Sequence, residues 1–211
     1  MKRVLVYATG RQGSQEGSAL EVALENVKRG NEVYYLTCGQ CMRGCNDNPW
    51  FNSAICKYCK YVTLRRARKY LGRNCKIGSV DEYLKKIDLP IPSCHFDVRS
   101  VSELKSLTYK GVQVGYGALS TYISLTRNME PDFSKVEIQS YFQELLNQQI
   151  CLIEILENVI STYQPELFCF HNGRFAQYKP CLGMAQKYNI DFICTETLLK
   201  STGVAMKNFF L

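Results

Sequence analysis

No stretch of the 211-residue sequence approaches the run of ~18 uncharged apolar residues that a bilayer helix needs. A secretory signal is missing as well. Met1-Lys2-Arg3 leads only into the short apolar stretch Val4 to Ala8, which runs on into Thr9-Gly10-Arg11 and reads as a first strand. There is no internal repeat, low-complexity tract or flexible linker, and the length suits one full-sized domain. Strict phosphate-binding signatures are lacking: the loop Gly10-Arg11-Gln12-Gly13-Ser14-Gln15-Glu16-Gly17 has neither the G-x-G-x-x-G spacing nor the Lys-Ser/Thr pair of a Walker A motif. Acidic residues are absent between Ser53 and Val80, a segment that holds Lys57, Lys60, Arg65, Arg66, Arg68, Lys69, Arg73 and Lys76. That segment carries +8 in a chain of net charge +7, so the remainder sums to −1. A local field of this kind favours anionic partners: phosphates, nucleic acid or an anionic lipid surface.

What is present reads as an α/β chain of Rossmann-like type, doubly wound, with a mostly parallel sheet. Arg3 to Ala8 is a strand, the glycine loop follows, Ser18 to Arg29 has helical spacing with Gly30 closing it, and Asn31 to Thr37 is the second strand. Strand, glycine loop, helix and strand in that order are a βαβ unit with parallel strands. Tyr58 to Leu71 is helix-like and basic, and Ser79 to Ile87 reads as a short helix capped by Ser79 with Glu82 at the third position. Leu89-Pro90-Ile91-Pro92 interrupts regular structure, and Gly111 to Gly117 reads as loop. Ser134 to Tyr163 is a long amphipathic helix, ended by Pro165. The apolar run Glu166 to Phe170, a helix from about Phe175 to Tyr188 and the strand Ile190 to Thr195 make a second βαβ unit. The domain expectation is one α/β domain over 1–211 with a cysteine-rich basic insertion at about 38–76. The apolar ending Asn208-Phe209-Phe210-Leu211 suggests a chain cut from a longer protein.

Eleven cysteines, an odd number without an export signal, argue for reduced thiols or a metal site and for the cytoplasm. Cys38 and Cys41, then Cys56 and Cys59, form two C-x-x-C pairs. Two residues between thiolates let both reach one tetrahedral ion, and two such pairs complete a structural zinc site. Cys45 is a substitute ligand, and an iron–sulfur cluster is the alternative. The opposing reading makes these cysteines small buried hydrophobes or disulfide partners. Cys94, Cys151, Cys169, Cys181 and Cys194 fit that reading best. In the glycine loop, Gly10, Arg11, Gly13 and Ser14 are placed to contact a phosphate at a helix start, although a tight strand-to-helix turn needs glycines in any case. His171-Asn172-Gly173-Arg174 sits where a buried strand gives way to a helix, at the sheet edge where ligands bind in open α/β folds. A cation in the first turn of that helix would oppose its dipole and so points to a partner.

The segment Phe170-His171-Asn172-Gly173-Arg174-Phe175-Ala176, then Pro180, then Asp191-Phe192-Ile193-Cys194-Thr195-Glu196, resembles part of the bacterial capsule and surface polysaccharide biosynthesis glycosyltransferases. That part runs strand, Asn-Gly-Arg, helix, strand, Glu. The early chain agrees: a strand, a glycine loop, a helix ending in Arg29-Gly30, a strand, and a cysteine-rich stretch with Asn48-Pro49. The resemblance covers most of the chain, the middle matching worst, and the Gly10 to Gly17 loop is less apolar than the family's.

The resemblance implies the acceptor-side N-terminal domain of a two-domain GT-B enzyme. A C-terminal domain would hold the nucleotide-sugar donor, and this chain would be catalytically silent alone. Asn172, Gly173, Arg174 and Glu196 are the positions that carry over. Candidates for the base are His171, Glu196 and Glu16. The implied partner is a saccharide or lipid-diphosphate-linked acceptor, with peripheral association at the inner face of the cell membrane through the basic segment. Two rival readings are a cysteine-metal nucleic-acid module using Lys57 to Lys76, weakened by the poverty of evident aromatic platforms, and a nucleotide- or phosphate-dependent enzyme using the Gly10 to Gly17 loop.

Overall fold

The computed structural model describes residues 1–10, 13–87, 92–198 and 201–207. Strand β1 (Arg3–Ala8) leads to helix α1 (Gly13–Lys28) and strand β2 (Glu32–Thr37). Val4, Val6 and Ala8 pack on one face of the sheet, and Leu5 and Tyr7 on the other. With both faces covered, the strand reads as one apolar run. Helix α2 (Ser53–Leu71) and a short 3-10 turn (Gly72–Asn74) lead to strand β3 (Cys75–Ser79). Helices α3 (Val80–Ile87), α4 (Val101–Ser106), α5 (Val114–Thr126) and α6 (Val136–Tyr163) follow. Strand β4 (Leu167–His171), helix α7 (Lys179–Lys187) and strands β5 (Asp191–Leu198) and β6 (Ser201–Lys207) complete the described chain.

The strand order is β3-β2-β1-β4-β5-β6. The first five run parallel and β6 pairs antiparallel with β5. This is the doubly wound, mostly parallel, Rossmann-like sheet, and the strand order reverses between β1 and β4. One core lies against α1 and α2, and the larger one lies beneath α5, α6 and α7. In α6, Phe142, Leu145, Leu152, Ile153, Leu156, Val159 and Ile160 are buried, as their spacing predicts. Among the described residues no helix is long and apolar enough to cross a membrane.

Several elements depart from the sequence reading. Helix α1 begins at Gly13, ahead of the apolar periodicity. Helix α2 begins at Ser53, not Tyr58, because the Asn52 side chain accepts hydrogen bonds from the Ala54 amide (2.8 Å) and the Ile55 amide (3.4 Å). Ser79 closes β3, and α3 starts at the next residue, Val80; the Ser79 hydroxyl donates to Asp81 (2.7 Å), and Glu82 turns to Lys60 (3.1 Å). The Gly111 to Gly117 stretch is not all loop, since α5 starts at Val114. Its glycines serve close helix packing: a Cβ on Gly115 would lie 1.6 Å from the Leu104 carbonyl oxygen. Helix α7 starts at Lys179, with Pro180 in the first turn where its missing N–H costs nothing. The interruption expected at 89–91 and the ending at 208–211 lie outside the described residues.

Candidate functional site

The carboxyl ends of β1, β4 and β5 meet at the point of strand reversal, where an open α/β sheet leaves a crevice. Strand β4 ends at His171, and Asn172 (φ 61°) and Gly173 (φ 72°) then both adopt the left-handed region. Asn is among the few residues with a side chain that tolerate this conformation. The turn is closed by the Gly173 amide donating to the His171 carbonyl (2.7 Å), and the Asn172 amide is tied to the Thr195 carbonyl (2.9 Å).

The Asn172 side chain works in both directions. Its Oδ1 accepts from the Arg174 amide (3.2 Å), and its Nδ2 donates to Glu196 Oε2 at 2.6 Å. His171, 5% exposed, has Nδ1 beside the Thr195 hydroxyl (3.3 Å) and Nε2 at 3.8 Å from Glu196 Oε1. Burial pulls the imidazole below its ordinary range, with the Glu196 carboxylate opposing that shift, so the ring is neutral at pH 7. The Glu196 side chain is 43% exposed. The constellation is therefore a half-open carboxylate, oriented by a buried amide and backed by a neutral imidazole. Such a carboxylate can accept a proton from a bound hydroxyl group.

Three neighbours were not singled out in the sequence. The buried Tyr178 ring meets His171 edge-on at 5.6 Å between centroids. Its hydroxyl accepts from Thr9 and donates to Gln15 Oε1 (3.2 Å), joining β1, α1 and the segment before α7. Nothing in their spacing marks Thr9, Gln15 and Tyr178 as partners, because Tyr178 is 169 residues from Thr9.

Arg174 is exposed and stands in the turn before α7, not in a helical first turn, so the dipole argument for a partner falls away. Its guanidinium lies over the Phe175 ring, 4.7 Å from the centroid. In the glycine loop, Gly10 has φ 82° and its carbonyl accepts from Thr63 (3.3 Å); Gly13 and Ser14 open α1, and Arg11 lies outside the described residues. Glu16, a candidate base, is 1% exposed and ion-paired with Arg66.

The cysteine-rich segment folds over the carboxyl ends of β1 and β2. A cavity of about 30 Å³ there is lined by Cys38, Cys45, Cys56 and Cys59, with Asp47 and Thr9. Met42 N–H donates to Cys38 Sγ (3.3 Å) and the Asn48 amide group donates to Cys56 Sγ (3.1 Å). Burial pushes the Cys38 thiol up to about 12 and raises Cys59 as well. Cys41, the fourth member of the two C-x-x-C pairs, points elsewhere: its sulfur is 3.7 Å from that of Cys151 on α6. Cys45 takes its place on the cavity wall. All eleven cysteines are free thiols, and among the described residues no three His, Cys, Asp or Glu side chains converge closely enough to hold a metal ion.

The basic segment is partly neutralised by acids from elsewhere in the fold. Lys60 pairs with Asp81 (2.8 Å) and Glu82 (3.1 Å), and Arg66 with Glu16. Lys57, Arg65, Arg68, Lys69 and Arg73 are exposed and make no ion pair among the described residues. Tyr58, Tyr61 and Tyr70 are 54%, 60% and 55% exposed along the same helix. The aromatic platforms that the sequence reading found wanting are therefore present on α2.

No protein-family model and no curated protein matches the chain. Among the solved structures similar to the chain are the following two. Tyrosyl-tRNA synthetase complexed with L-tyrosine, from Archaeoglobus fulgidus, is 14% identical with a TM-score of 0.47, over 100% of this chain and 62% of the synthetase. The deacetylase–teicoplanin complex from teicoplanin biosynthesis is 14% identical with a TM-score of 0.42, over 96% of this chain and 74% of the deacetylase. The chain thus spans less than two thirds of the synthetase's length.

Proposed function

We propose that this chain is the acceptor-side domain of a glycosyltransferase of capsular or surface polysaccharide biosynthesis, of GT-B type, with the nucleotide-sugar held by a C-terminal domain. The observation that carries the reading is the Asn172–Glu196 hydrogen bond with His171 behind it, at the crevice where the strand order reverses. Sugar transfer needs an acceptor hydroxyl to lose its proton as it attacks the anomeric carbon, while the diphosphate leaves with the bond electrons. In this reading Glu196 takes that proton, Asn172 fixes its orientation, and His171, neutral, adds no positive charge beside the carboxylate. Arg174, exposed beside them, is placed to meet an anionic group on the substrate.

Saturation-transfer NMR of the chain with short lipid-diphosphate-linked mono- and disaccharides tests the reading. Contact with the sugar protons is expected, falling at least ~10-fold in affinity in Glu196→Gln if the carboxylate makes a charge-assisted hydrogen bond to the acceptor hydroxyl. Absence of saturation transfer to every acceptor, or equal binding by Glu196→Gln, overturns it.

In this reading a zinc ion would be structural, held by Cys38, Cys56 and Cys59 with Cys45 in the fourth position, and it would require the four side chains to close on the cavity between them. Elemental analysis of the chain purified anaerobically without chelator or affinity metal checks this. One equivalent of zinc would establish the structural site, and a metal-free chain with reactive thiols would reduce the cluster to packing. The second reading, binding of nucleic acid by α2, is favoured by the exposed tyrosines interleaved with unpaired cations.

A further inference from the structure

Cys41 and Cys151 are brought together by the fold alone. Gly39 (φ 57°) and Gln40 (φ 73°) turn the chain left-handed after β2, and the Cys41 amide closes back on the Cys38 carbonyl (3.1 Å). This presents Cys41 to the side of α6, where its S–H faces Cys151 Sγ at 3.7 Å. Both are partly exposed, unlike the buried Cys169, Cys181 and Cys194. Both also line an open surface groove of about 530 Å³. Two thiols at this separation need to approach by roughly 1.7 Å to reach disulfide bonding distance.

We propose that Cys41 and Cys151 form a reactive dithiol that exchanges with low-molecular-weight disulfides entering this groove. Cys151, as its thiolate, attacks one sulfur of R–S–S–R. A Cys151–S–R bond forms, the R–S–S–R bond breaks, and the departing thiolate takes up a proton equivalent to the one Cys151 gave to solvent. Cys41 then loses its proton and attacks the Cys151 sulfur, forming the Cys41–Cys151 disulfide and expelling the second R–S–, which leaves as R–SH. Two protein thiols lose two electrons, and one small disulfide becomes two thiols.

The order of attack follows from the hydrogen bond. Cys41 donates to Cys151, so the accepting Cys151 sulfur is the one whose thiolate the pair stabilises; Cys151 attacks and Cys41 resolves. Arg43 and Lys85 on the groove wall are matched by Asp81 and Glu144, so no charge of one sign selects the disulfide. The inference stands independently of the glycosyltransferase reading.

The test is to incubate the native chain with oxidised glutathione or with hydroxyethyl disulfide, quench in acid, alkylate and map the peptides. The Cys41–Cys151 link is expected as the first disulfide, at least ~10-fold faster than oxidation of the buried cysteines. Cys41→Ser should accumulate a mixed disulfide on Cys151, and Cys151→Ser should suppress reaction at Cys41. Disulfides formed first among Cys38, Cys45, Cys56 and Cys59, or recovery of Cys41 and Cys151 as separately alkylated thiols, would overturn the proposal. So would a mixed disulfide on Cys41 appearing in Cys151→Ser at the wild-type rate.

Discussion

Asn172 holds a left-handed backbone and the Glu196 carboxylate at once, and substitution can separate the two roles. Asn172→Gly keeps the backbone and loses the hydrogen bond, which with Glu196 half exposed should cost about 1 kcal/mol. Asn172→Ala loses the bond and keeps a Cβ in the left-handed region without the local side-chain hydrogen bond that lets Asn tolerate it, which adds about 1 kcal/mol more. Urea denaturation of the two variants should therefore rank alanine below glycine; equal stabilities would mean that the turn carries no strain. His171 and Asn172 were legible in the sequence because a strand end and an Asn-Gly turn leave local marks, whereas Glu196, inside β5, was singled out only through the family resemblance. Thr9, Gln15 and Tyr178 were not, since a hydrogen bond across 169 residues leaves none.

At the scale of elements, α2 shows how a charge run is accommodated. Read as a sequence, its cations repel one another; in the fold, Asp81, Glu82 and Glu16 arrive from α3 and α1 to meet two of them. Arg66→Ala should be costly, because Glu16 is 1% exposed and would be left as a buried charge. A loss of about 2 kcal/mol is expected, short of the figure for a fully buried pair because the Arg66 side chain is 45% exposed. Adding Glu16→Gln to Arg66→Ala should restore much of it, and a thermal melt showing no recovery would mean that the pair is not what stabilises the α1–α2 contact. Strand β3 and helix α5 were missed for related reasons. β3 is a short edge strand, Cys-Lys-Ile-Gly-Ser, with no apolar run to declare it. The glycines of α5, read as loop formers, are there because Leu104 and Gln149 leave no room for a Cβ.

For the whole molecule, the exposed cations and tyrosines of α2 make one face of the domain basic and aromatic. Basic side chains and interfacial tyrosines suit an anionic bilayer surface, each Lys or Arg adding about 1 kcal/mol there. Flotation with phosphatidylserine-containing vesicles should carry the chain at low salt and release it at high salt, and Arg65→Glu with Arg68→Glu should abolish the effect. Retention of single-stranded RNA in place of vesicles would instead favour the nucleic-acid reading.

The parallel sheet, its two βαβ units and the long helix α6 were settled by the sequence, because burial on both strand faces leaves short continuous apolar runs and burial on one helix face leaves a period of 3.6, and both survive in one dimension. Which cysteines become neighbours was decided only by the tertiary structure. Spacing groups Cys38 with Cys41, yet the two left-handed residues between them send their sulfurs to opposite sides, one to the cavity at the sheet edge and the other to Cys151 on α6. Local spacing states which thiols can meet. The backbone turn and the helix packed beside it determine which of them do.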